Sequence, residues 1–117
     1  MAASVSLRAY PEPIRSLAFT FISGVYMGIG TGLTWPSRIL MFQNATDVDM
    51  FISWDGINDH QFVPSNSFTL LDLTANKLKD DGWYVASGQR FYVKQVSGAP
   101  TTGSVYVTTF FGLSEGG

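Results

Sequence analysis

Four of the chain's seven aspartates and its single histidine fall within fourteen residues: Asp47, Asp49, Asp55, Asp59 and His60. Several oxygen or nitrogen ligands converging at short range would hold a metal ion. Asp-x-Asp at 47 and 49 places both carboxylates on one strand face, and the 55–60 loop would fold over them. The spacing is not that of an EF-hand, however, and no glutamate follows to close a loop. Asp55 also has a simpler role as the first residue of an Asp-Gly turn. Glycoside hydrolysis needs two acids facing across a cleft, and the glutamates are only Glu12 and Glu115, near the two ends. A Ser-His-Asp triad would depend on His60 alone, with no nucleophile elbow leading into a helix. Gly28-Ile29-Gly30-Thr31-Gly32 lacks the lysine of a phosphate loop. There are no cysteines, hence no disulfides, thiolate metal sites or cysteine nucleophiles. The reading is no catalytic residue, no cofactor and no metal.

The elements that would position these residues read as strands. Short runs of β-branched and aromatic residues alternate with Gly, Pro, Asn and Asp clusters, and no 3.6-residue stripe is long enough for a helix. The spacing predicts strands at 14–22, 38–43, 48–54, 61–63, 67–73, 83–86, 89–96 and 104–111, with a short one at 25–29. The 14–22 run puts Leu17, Phe19 and Phe21 on one face. The 38–43 run is apolar on both faces, which predicts a strand that is central or covered on both sides. Val48, Met50, Ile52 and Trp54 share one face, and Phe91 and Val93 another. Tyr10-Pro11-Glu12-Pro13 reads as a chain breaker. The expected organisation is an N-terminal arm at 1–13, a domain at 14–113 and a tail at 114–117. With no helix to cover a sheet, two sheets must cover each other. The fold class is therefore all-β: a single-domain, jelly-roll-like sandwich of about eight strands.

At 117 residues, the chain has 45% hydrophobic and 15% aromatic residues but only 14% charged. Soluble domains average about 25% charged, so much of the surface is expected to lie against something else. A net charge of −2 argues against a nucleic-acid partner held by phosphate neutralisation. Residues 16–37 carry no charge, but glycines, hydroxyl residues and Trp35-Pro36 interrupt them. They are read as strands and a loop, not as a membrane helix. Trp35, Trp54 and Trp83 would suit sugar stacking, but Trp54 shares its face with Met50 and Ile52 and is read as core. Leu7, Arg8, Tyr10 and Ile14 on the arm, and Lys77, Lys79, Trp83 and Tyr84 at the other end, are the candidate contacts to a neighbour.

Five stretches share a cadence: Arg38-Ile-Leu-Met-Phe-Gln-Asn-Ala-Thr-Asp47, Phe51-Ile-Ser-Trp-Asp-Gly-Ile-Asn-Asp-His60, Leu70-Leu-Asp-Leu-Thr-Ala-Asn-Lys77, Phe91-Tyr-Val-Lys-Gln95 and Gly103-Ser-Val-Tyr-Val107. Over roughly residues 14–112 the chain resembles small virion proteins of tailed bacteriophages, particularly capsid cement or decoration proteins. The motifs are turns and strands, not catalytic groups. The resemblance implies a jelly-roll-like sandwich on the capsid surface, with the major capsid protein as partner and self-association as a dimer or trimer. Neck, tail or baseplate parts of the virion have a similar look and form the alternative. A carbohydrate-binding sandwich using residues 47–60 is a third reading.

Overall fold

The computed structural model describes residues 7–73 and 85–114. At most places where a β-branched or aromatic run meets a turn cluster, the chain makes a strand and reverses. The strands are β1 (Leu7–Pro11), β2 (Arg15–Ala18), β3 (Met27–Gly28), β4 (Ile39–Asn44), β5 (Met50–Ser53), β6 (Gln61–Val63), β7 (Ser67–Asp72), β8 (Tyr92–Gln95) and β9 (Ser104–Ser114). The single helical element among the described residues is a 3₁₀ turn at Phe19–Phe21.

Two antiparallel sheets form. The first runs β1-β9-β4-β7, with β2 also on β9; the second runs β3-β8-β5-β6. β1 pairs with β9 at Phe110–Ser114 and β2 at Ser104–Val107, while β4 takes the other edge of β9. β1 and β2 are therefore two halves of one edge strand. Pro11 lies opposite Phe110 and Arg15 opposite Val107, so four steps on one strand meet three on the other: a β-bulge with one extra residue. Pro11 and Pro13 are tolerated there because a bulged edge needs fewer backbone donors. With β1 and β2 counted as one, the pairing is nested: β1/β2 with β9, β3 with β8, β4 with β7, β5 with β6. Successive rungs alternate between the sheets. That is the order of a jelly-roll sandwich.

The core lies between the sheets. Leu40, Phe42, Val105 and Val107 come from the first, Met50, Ile52, Val63 and Val93 from the second, all at most 1% exposed. Phe91 meets Phe42 and Trp54 edge-on, with centroids 5.0 and 5.2 Å apart. Asn44 joins the layers: its amide donates to Val48 O (2.8 Å) and to Val63 O on β6 (2.9 Å), and its oxygen accepts from Thr46.

Three expectations change. Residues 7–11 are not part of an arm: they form strand β1, and Glu12 is buried behind them. The breaker reading missed this because the partner, β9, lies about a hundred residues away. The predicted 14–22 strand ends at Ala18, where the 3₁₀ turn breaks its alternation and leaves Phe21 exposed. The last strand runs to Ser114, because β1 supplies a partner beyond the end of β4. In the predicted 83–86 strand, Val85 makes one isolated bridge, to Ser37; residues 83 and 84 lie outside the described residues.

Candidate functional site

The fold disperses the acidic cluster. Asp47 accepts from the backbone and hydroxyl of Thr101, whereas Asp49 accepts from Ser65 N (2.9 Å). The two carboxylates pin different loops. Asp55 closes its own turn, accepting from Ile57 N (2.8 Å), Asn58 N (2.9 Å), Asn58 Nδ2 (2.8 Å) and Ser53 Oγ (2.8 Å). The backbone donors of Asn58 and Ile57 hold its carboxyl well below the usual carboxylate range. No three His, Asp or Glu side chains among the described residues come together as a metal site.

His60 uses Nδ1 to accept from Trp54 N (2.9 Å), and its Nε2 sits 4.0 Å from Asp55 Oδ2. The acceptor nitrogen a general base needs is thus already engaged, while Ser53 Oγ is held by Asp55 instead. Asp59 accepts from the Tyr26 hydroxyl and pairs with Lys94 at 3.3 Å. Burial, then the bond to Asp59, push the Tyr26 phenol up. The Lys94 ammonium lies 4.8 Å from the Tyr26 ring centre and 5.9 Å from that of Phe51. Trp54, His60, Gln61 and Leu71 line an open depression of about 380 Å³.

A second polar network went unseen in the sequence. Arg15 and Glu12 form a buried ion pair at 2.7 Å. Arg15 also donates to Thr31 O (2.8 Å) and Gly32 O (3.0 Å), and Glu12 accepts from Thr34 N and Trp35 N. Burial raises the Glu12 pKa, but the bonds from Arg15, Trp35 and Thr34 outweigh it and the net shift is downward. The i, i+3 spacing of Glu12 and Arg15 was the available signal. Only the bulge, by turning both side chains inward, makes it a latch between the β1–β2 edge and the 30–35 loop.

The outer faces of the two sheets differ in chemistry. On the second sheet, Phe51 and Phe62 pack edge-on at 5.9 Å, with Lys94 and its Asp59 partner beside them. On the first sheet, register gives three cross-strand rows. Phe68, Gln43, Tyr106 and Ser16 form one. Leu70, Met41 and Thr108 form the next. Asp72, Ile39 and Phe110 form the third. Phe68 and Leu70 are 61% and 56% exposed, and Ile39 and Met41 are half-buried. As expected for residues 38–43, β4 is central, between β9 and β7; its inner face is buried, and no layer of described residues covers its outer face.

Of the candidate contacts, Leu7 and Arg8 lie in β1, opposite Ser114 and Leu113. Tyr10 stacks on Phe111 at 5.6 Å, and Phe111 on Trp35 at 5.1 Å. Ile14 stands 59% exposed at the bulge. Lys77, Lys79, Trp83 and Tyr84 lie outside the described residues. Comparison with known proteins returns no match: no protein family, no curated protein and no solved structure.

Proposed function

We propose that the protein is a structural component of a bacteriophage virion: a capsid decoration protein that binds the outer surface of the head and bridges major capsid subunits. The observation that carries this reading is the outer face of the first sheet, whose three rows contain one ionisable carboxylate, Asp72, and otherwise apolar or neutral side chains. An antiparallel sheet with a free face ordinarily alternates apolar-in with polar-out. A second apolar face is the mark of a surface meant to be covered. A decoration protein needs no chemistry: it stabilises a shell by the area it buries between neighbours. The resemblance to cement proteins points the same way. The jelly-roll order adds only analogy, since it also serves lectins and cupins.

The test is to purify particles of the phage that carries this gene and count copies of the chain against the major capsid protein. Decoration predicts a near-stoichiometric ratio. A ring of a few copies would move the protein to the neck, tail or baseplate. Absence from every particle would remove the virion reading. Asp55→Asn, Asp59→Asn and His60→Ala are expected to leave particle binding unchanged; loss of a sugar ligand in these variants without unfolding would favour the carbohydrate reading instead.

A further inference from the structure

We infer that the outer face of the first sheet is where two copies of this chain meet, sheet against sheet about a two-fold axis. The inference rests on the reading of that face as an assembly surface and names its occupant.

Charge is the first argument. In a two-fold contact each patch meets its own copy, so any fixed charge near the axis faces its like. Met41 is at the centre of this face, with Leu70 and Thr108 beside it across the strands, Ile39 and Gln43 on either side of it along β4, and Phe68, Tyr106 and Phe110 towards the corners. Asp72 stands at a corner, on the edge strand. Such a face packs on itself without like-charge repulsion. The other sheet's outer face, with Lys94 and Asp59 fixed on it, does not have this property.

Area is the second. β2, β9, β4 and β7 lie side by side. At about 4.8 Å per strand and 3.3 Å per residue, four strands over the six-residue length of β4 and β7 give a face of roughly 20 by 20 Å, a little less at the shorter β2. With side-chain relief that is on the order of 600–800 Å² of accessible surface, close to the ~800 Å² per partner of a standard interface. Two twisted sheets meeting there would pack about 10 Å apart with strands some 30° off parallel, as layers within a sandwich do.

Sedimentation of the full chain up to about 200 μM tests this, at about 0.15 and 1 M salt. A reversible dimer is expected, with a dissociation constant that high salt does not weaken. Met41→Glu and Leu70→Lys should each weaken it by roughly 30-fold or more. Their far-UV dichroism, and their melting at concentrations where the wild type is also monomeric, should stay unchanged, because both side chains point away from the core. Should Met41→Glu fail to fold, Leu70→Lys on the edge strand keeps the test intact. A chain that stays monomeric overturns the inference. So does a dimer that survives both folded substitutions, or one that dissociates in high salt. Copies per particle are counted separately: a monomer that still coats particles sinks the dimer and leaves decoration standing, whereas a dimer absent from particles does the reverse.

Discussion

Asn44 and Gln43 are neighbours on β4 with opposite duties. Asn44 is buried, and its amide donates to the carbonyls of Val48 and Val63. Gln43 is exposed on the outer face. Asn44→Ala is expected to cost about 3 kcal/mol in urea unfolding, and Gln43→Ala no more than about 0.5 kcal/mol. The Glu12–Arg15 pair predicts a pH dependence with a definite sign. The Glu12 carboxyl is held below its unfolded value, so its contribution is complete above the ordinary carboxylate range and fades as pH falls through the lowered folded value. Glu12→Gln should flatten that acid limb of the stability profile. It should also cost about 3 kcal/mol at neutral pH, since Arg15 would stay buried without a counter-charge. Equal acid sensitivity in the wild type and the variant would refute the assignment. Neither role could be read from the sequence. Asn44 reads as a turn residue and Glu12 as a residue between two prolines; both become structural only when distant strands arrive.

Among the elements, the turns were the most legible. Asp55-Gly56 and the 97–103 segment reverse the chain where expected, and Gly56 and Gly103 take positive φ, at +76° and +92°. Gly103 is the more demanding position, because an added Cβ would collide with the Ala45 carbonyl oxygen. Gly103→Ala is expected to destabilise by about 2 kcal/mol or more. Gly98→Ala, in the same turn with open space around it, should change stability by less than about 0.5 kcal/mol; comparable losses at both sites in thermal melts would contradict this geometry. Strand edges were less legible. Alternation in β7 separates Phe68 and Leu70 from Leu71 and Leu73, but both sets are apolar. Which set faces the core is decided by the pairing of Leu71 with Leu40, a fact of register and not of composition. For the same reason the low charge suggested an apolar surface without showing that the outer face of the first sheet carries one.

For the molecule as a whole, the nested pairing makes nearly every rung a long-range contact. A sandwich of this kind is expected to fold in milliseconds to seconds, not microseconds. Stopped-flow refolding followed by tryptophan fluorescence, to which Trp54, packed edge-on against Phe91, contributes, would measure it; a microsecond phase carrying the whole amplitude would contradict the topology. The position of β9 has a further consequence, for synthesis. It touches β1, β2 and β4, yet of the nine strands it leaves the ribosome last. Until it does, β4 has one bare edge, β1 and β2 have no partner, and the apolar outer face does not exist as a surface. A nascent chain stalled before residue 104 should therefore remain open to protease. If that face is the one on which copies assemble, it appears only on a finished subunit, and half-made chains have nothing to offer a complex.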